Sequence, residues 1–269
     1  AHLDNSPDRD NGQFSLGRVA LAERGVFGHA FIYMKIALIH LYLATPSGDP
    51  RMVLSIAQTL KKQGHEVVLY CSESKPDVLP DLRAGIDIRV VPSRAPLGSV
   101  LGASGLLARV FERVRRARLH ADATRRIERA LEVDFDYVLC ENDYSYRVGV
   151  AYKKRNPKAR VIWIMNNPPF YHSRKNNIVA EILSRAVTWW EARTARQFSS
   201  GIDWSVVYDK VNQQGSEAVG IHSKLIGNPL DFAYFSAPVR AWPPQGPIKI
   251  LAVGALSPFR RFEDVVTAV

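Results

Sequence analysis

A doubly wound, parallel α/β sheet is the fold this sequence predicts, and three observations predict it. From Met34 onward, short apolar runs alternate with segments of helical spacing, many of ten residues or more. Within those segments apolar residues recur three and four apart, as Val53, Ile56, Ala57 and Leu60 do. With 269 residues, 46% of them apolar and 23% charged, the chain can bury a core of ordinary size without staples.

The elements follow in order. An apolar run over 36–43 is the first strand, followed by a loop with Pro46, Gly48 and Pro50. A helix carries the 53–60 stripe and closes at Gly64, where a left-handed cap is expected. Residues 66–71 form a strand at once, and 86–91 another that stops at Pro92. A long basic stretch, 101–131, has helical spacing after Gly105. Then come a strand over 136–140, a helix over 144–155, and a strand over 161–165 halted by Asn166-Asn167-Pro168-Pro169. A helix over 177–198 holds Trp189 and Trp190, and a strand at Val206-Val207, a helix over 210–217 and a strand over 222–226 complete the series.

The flanks differ from this pattern. Residues 1–33 are expected to be a disordered or non-native extension, because the segment is largely polar and aperiodic and Met34 leads straight into a strand. The amino-terminal domain is expected to span 34–236. Pro238, Pro243, Pro244, Gly246 and Pro247 mark a linker over 237–247. A fresh strand, 248–253, then opens a second Rossmann-like domain that is truncated at residue 269.

Composition narrows the partners. Cys71 and Cys140 lie in apolar runs and are expected to be buried, reduced thiols, which points to a cytoplasmic compartment. The net charge of +10 favours acidic partners. No apolar run reaches the roughly 18 residues that a membrane span needs. Asp134-Phe135-Asp136 has the look of a metal motif but enters a strand at the end opposite the expected site. No other grouping has metal spacing, so no metal is expected.

Ligands of an open parallel sheet bind beyond the carboxyl ends of its strands, which ranks the polar clusters. Gly48 sits where the first strand turns into the first helix, and backbone amides there favour phosphate oxygens. Asn142 and Asp143, after Glu141, and Asn166 and Asn167, after Met165, follow strands directly and suit a hydroxyl-rich substrate. The alternative for both clusters is capping of the next helix. Gly254 and the adjacent Arg260-Arg261 follow the last strand, where a guanidinium can reach phosphate oxygens.

Arginines 109, 113, 115, 116, 118, 125, 126 and 129 outnumber Glu112, Asp122 and Glu128, beside an apolar stripe of Leu106, Leu107, Val110, Phe111 and Val114. Two readings stay open: a basic amphipathic helix on anionic lipid, or the solvated face of a packed helix. Nucleic acid is not expected, since no aromatic platform accompanies the charge.

In this order, the landmarks resemble the family-4 retaining glycosyltransferases of the two-Rossmann-domain GT-B fold. Lys35-Ile36-Ala37-Leu38-Ile39-His40 is similar to their first strand, and Gly48-Asp49-Pro50-Arg51-Met52-Val53 to their Gly-Gly-x-Glu-Arg-Val turn. Leu60-Lys61-Lys62-Gln63-Gly64-His65-Glu66-Val67 resembles their helix-to-strand turn. Ile226-Gly227-Asn228-Pro229-Leu230-Asp231 resembles the approach to their linker, and Ile250-Leu251-Ala252-Val253-Gly254 their donor-domain strand. The sequence departs from the pattern in having one glycine at Gly48, Asn166 in place of a histidine, Ala255 in place of an arginine, and Arg260 in place of a lysine.

The resemblance implies transfer of a sugar, with retention, from a nucleotide-diphosphate-sugar co-substrate to the hydroxyl of a glycan, lipid-linked or small-molecule acceptor. It implies donor binding by Gly48, Gly254 and Arg260, and acceptor or sugar binding by Asn142, Asp143, Asn166 and Asn167. It names no general base and no other cofactor. The expected location is the cytoplasm, with peripheral contact to the inner face of a membrane through 109–129. The fragment alone is expected to be inactive, because the family's acidic Glu-x7-Glu region would fall past residue 269. Two alternatives stay open: a non-catalytic module of the same fold, docked on membrane or protein, and a nucleotide-sugar epimerase.

Overall fold

A computed structural model describes residues 33–94, 106–141, 144–166, 168, 170 and 178–227, with backbone alone for 106–114 and 180. The chain divides into two compact units, Ala1–Ile226 and Gly227–Val269, and apart from Gly227 the described residues belong to the first. The extension expected over 1–33 (Tyr33 excepted), the linker and the strand expected over 248–253 lie outside the described residues.

The fold is a doubly wound parallel α/β sheet. In chain order its elements are β1 (Lys35–Ile39), β2 (Tyr42–Leu43), α1 (Gly48–Lys62), β3 (Glu66–Cys71), β4 (Glu73–Ser74), α2 (Pro80–Arg83) and β5 (Asp87–Val90). There follow α3 (Leu106–Ala130), β6 (Tyr137–Glu141), α4 (Tyr146–Arg155), β7 (Arg160–Met165), α5 (Ile178–Ser199), β8 (Trp204–Val207), α6 (Lys210–Ala218) and β9 (Lys224–Leu225). Seven strands pair in the order β5-β3-β1-β6-β7-β8-β9, all parallel. From β1 the chain winds outward to β3 and β5, then returns to lay β6 on the other side of β1. The winding reverses between β1 and β6, which is the switch point.

Alternation along the strands sorts the core into two faces. Ala37, Ile39, Val68, Tyr70, Val138, Cys140, Val161 and Trp163 pack with Ala123 and Ile127 of α3, Val148 and Tyr152 of α4, and Ala195 of α5. Leu38, Val67, Leu69 and Cys71 pack on the opposite face with Val53, Leu54 and Ala57 of α1. Thus α1 covers one side, and α3, α4 and α5 form a layer on the other. In that layer α4 comes close to the sheet at Gly149, where a Cβ would sit 2.6 Å from Val161 Cγ1 and 2.7 Å from Cys140 Sγ. Both cysteines are free and buried.

The expected elements are present with local differences. The run over 36–43 is two strands: β1 ends at Ile39, and β2 pairs with β4 in a separate two-stranded sheet. The break falls at His40, whose ring turns inward to bond with the backbone of Tyr42. Glu141 belongs to β6, paired with Ile164, and is not part of the loop after it. The last strand is shorter, Lys224–Leu225, an exposed edge with β8 as its one partner among the described residues. Gly64 has a φ of +87° just past α1, the left-handed conformation that glycine adopts without strain. Asp134 and Asp136 gather at the amino end of β1, where Asp134 takes the Lys35 ammonium at 2.8 Å and Asp136 the Lys35 N–H at 2.8 Å.

Candidate active site

The switch point brings together two residues about a hundred positions apart in the chain. His40 follows β1 and Glu141 ends β6, on neighbouring strands in register at Ile39 and Cys140. His40 Nδ1 meets Glu141 Oε2 in a buried ion-pair contact; the side chains are 1% and 0% exposed. His40 Nε2 lies 2.9 Å from the Tyr42 carbonyl oxygen. A carbonyl only accepts, so Nε2 carries a proton and donates it. One further proton then lies between Nδ1 and Oε2, whether as imidazolium with carboxylate or as imidazole with carboxylic acid.

Two opposing effects set the protonation of this pair. Burial alone pushes the His40 imidazole down, but the charge and hydrogen bond of Glu141, with Asp49 nearby, outweigh it and leave the imidazole raised. Burial raises the Glu141 carboxyl as well, against the pull of His40. The raised imidazole means that the pair keeps its shared proton to higher pH than free histidine would. Glu141 Oε1 is buried and has no hydrogen-bond partner among the described residues.

Around the pair lies a polar rim. Gly48 is the first residue of α1, and the space where its Cβ would sit is open. Asp49, beside it, accepts a hydrogen bond from Asn166 Nδ2, which follows β7. Ser47 is the N-cap of α1 but makes no side-chain cap bond, and Asp49 Oδ1 is turned toward Asn166. Asn212 Nδ2 donates to the Asn166 carbonyl at 3.2 Å and to Asp209 Oδ2 at 2.7 Å. Asp209 also caps α6, with Oδ1 accepting from the Asn212 N–H at 2.7 Å. Tyr208 follows β8; burial, together with Glu141 and Asp49, pushes its phenol up to about 12. Residues after β1, β7 and β8 and the last residue of β6 therefore share one edge of the sheet.

Of the residues singled out by sequence, the structure thus sets Gly48 beside Asp49, which bonds to Asn166. Asn142, Asp143, Asn167, Gly254 and Arg260 lie outside the described residues. Sequence reasoning took His40 only as part of the first strand, counted Glu141 in the polar cluster with Asn142 and Asp143, took Asp49 as a cap of the first helix, and passed over Tyr208 and Asn212. The signal for the first two was present: an ionisable side chain at the carboxyl end of each of two apolar strands. What joined them was strand order, which the sequence alone does not supply.

No family model and no curated protein matches the chain. Among solved structures it is similar to HepE of Anabaena, solved with UDP and glucose, at 13% identity over 77% of this chain and 48% of that one, with a TM-score of 0.49. It is also similar to the calicheamicin glycosyltransferase CalG4, at 14% identity over 74% of this chain and 54% of that one, TM-score 0.47. A third is the UDP-GlcNAc 2-epimerase of Neisseria meningitidis bound to UDP-GlcNAc, at 14% identity over 72% and 45%, TM-score 0.38. The chain spans about half the length of these proteins. At such identities likeness concerns the fold, and fold does not assign function.

Proposed function

We propose that this chain is the acceptor-side part of an enzyme that transfers a sugar, with retention, from a nucleotide-diphosphate sugar to an acceptor hydroxyl. The observation that carries the proposal is the buried His40–Glu141 pair under the switch point, with Glu141 Oε1 unpartnered among the described residues. In sugar transfer the acceptor oxygen bonds to the anomeric carbon as the bond from that carbon to the nucleoside diphosphate breaks, and the acceptor's proton passes to the departing diphosphate. A site for this needs hydrogen-bond acceptors aimed at hydroxyl groups, in a crevice that excludes water. On this reading Glu141 Oε1, buried and without a partner among the described residues, is the acceptor left for such a hydroxyl; the other end of the pair is tied to Tyr42, so His40 acts as a positioning residue.

Asp49, Asn166 and Tyr208 supply further groups for hydroxyls at the same edge. The ordered motifs that resemble family-4 glycosyltransferases support the same reading. On this reading the 269 residues alone turn over no donor.

The test uses the full-length protein, a panel of labelled nucleotide sugars, and analysis of product and anomeric configuration. Transfer is expected, with kcat falling on the order of a hundredfold in Glu141→Gln, because a neutral amide holds the hydroxyl hydrogen less strongly. Inversion at a sugar ring carbon without transfer would instead establish an epimerase. Failure to bind or turn over any nucleotide sugar would favour the non-catalytic module.

A further inference from the structure

The helical layer on the α3 side has one element that is only half docked. In α5, Glu191 and Ala195 are buried, and Phe198 packs on the core. Its amino-terminal half behaves differently. From Ile178 to Trp190 no described residue is buried, and the apolar side chains there are largely open: Ile178 76%, Ile182 63%, Trp189 63% and Trp190 51%. Spaced four apart, or seven with one position between, Ile178, Ile182 and Trp189 lie along one stripe. A helix half with two open tryptophans and open isoleucines is unusual for a surface that meets only water.

The charge of the same layer says what would meet it. Beyond α4, the carboxyl half of α3 and the segment after β5 form a groove of about 310 Å³ lined by Arg94, Arg125, Arg126 and Arg129, with Asp122 the one carboxylate among the described residues. Asp122 takes Arg126 at 2.9 Å and Arg94 at 3.7 Å, so the groove keeps a net positive charge. On α5 itself, the Arg193 guanidinium lies 5.8 Å from the Trp189 ring centre, a cation held beside the apolar stripe. A second copy of this chain would bring the same +10 charge and the same arginines against these, which opposes self-association through the layer. No helix among the described residues is long and apolar enough to cross a membrane.

We infer that the α3–α5 layer docks on an anionic lipid surface, with Ile182, Trp189 and Trp190 entering the headgroup boundary and the α3 groove receiving lipid phosphates. Tryptophan favours that boundary because its ring is apolar and its N–H is not. Basic residues near an anionic membrane each strengthen binding about fivefold at low salt. This assignment does not rest on sugar transfer, and it adds to the arginine stretch an insertion element on a separate helix.

The test uses the full-length protein with vesicles of phosphatidylcholine alone or mixed with phosphatidylglycerol, read by co-sedimentation and by quenching of tryptophan fluorescence with brominated lipid. Binding is expected on the anionic vesicles, weakening with added salt. The pair Trp189→Ser with Trp190→Ser is expected to reduce affinity on the order of tenfold or more and to abolish most of the quenching. Arg125→Ala with Arg129→Ala is expected to reduce affinity about 25-fold and to flatten the salt dependence. Trp204→Ser, at another exposed tryptophan, is expected to leave binding unchanged, and circular dichroism checks that each variant is folded. The inference is overturned by absence of binding, by equal binding to neutral vesicles, or by a folded tryptophan double variant that binds as well as the parent. It is equally overturned by a concentration-dependent dimer that the double variant dissolves, or by tryptophans already shielded from a soluble quencher without vesicles.

Discussion

His40 and Glu141 stand at the carboxyl ends of adjacent strands and share a proton in a place closed to water. Taking away one partner strands the other without its counter-group, which in buried pairs lowers stability by about 3–5 kcal/mol. His40→Leu and Glu141→Leu are each expected to lower the unfolding free energy by an amount in that range, and the double variant by less than the sum. A double-mutant cycle from urea titrations measures that coupling.

The same pair sets a dependence on pH whose sign one substitution reverses. The folded His40 imidazole is raised, so its contribution is fully present below about pH 6.5 and is lost as pH rises through the folded value. In Glu141→Gln the counter-charge is gone and burial dominates, so histidine folds neutral. Stability is then expected to fall as pH drops below about 6.5. Urea midpoints measured between pH 5 and 9 in both proteins distinguish the two slopes.

Asp203 laces α4, β7 and β8 together. It accepts from Lys153 Nζ at 2.5 Å, from the Val161 N–H at 2.7 Å and from Arg160 Nη1 at 3.0 Å, and is 10% exposed. Burial pushes its carboxyl up, but these donors together hold it below the ordinary carboxylate range. Its contribution is therefore present above about pH 4 and is lost as pH falls through the lower folded value. Asp203→Asn is expected to lower stability by about 1–3 kcal/mol at neutral pH and to shrink the loss on acidification, as thermal melts at pH 7 and pH 3 would show.

Gly149 admits no side chain where α4 crosses the sheet. Gly149→Ala drives a methyl group into Val161 and Cys140, and an overpacked core of this kind loses about 1–3 kcal/mol. Val161→Ala in the same chain removes one of the clashing side chains and is expected to recover part of that loss, read by chemical denaturation.

Burial pushes the thiols of Cys71 and Cys140 up to about 12, so neither forms thiolate at ordinary pH. A thiol reagent at pH 8 is expected to leave both unmodified in the folded protein and to modify both in denaturant, as mass spectrometry would count.

Periodicity made most of the fold legible. Apolar spacing in α1 and apolar runs such as Val161–Met165 identify their elements, because the same residues build the core. The short pieces were not legible: α2 and β4 are too brief for a repeat to register, and β2 is split from β1 by a side chain turning inward at His40. For the site, Gly48 and Asn166 could be ranked because loops after strands share an edge. His40 and Glu141 could not be joined, since their contact depends on β6 returning to lie beside β1. Neither spacing nor composition encodes that return.

That return also governs how the protein is made. On a ribosome, β1 finds its first neighbour quickly, since Lys35 pairs with Glu66, but its other side waits for Tyr137 to emerge. For as long as the intervening stretch is being synthesised, a strand that ends up inside the sheet, between β3 and β6, has a bare, sticky flank. Chaperone demand should be greatest in that interval, and a pause in translation just before β6 would prolong the exposure.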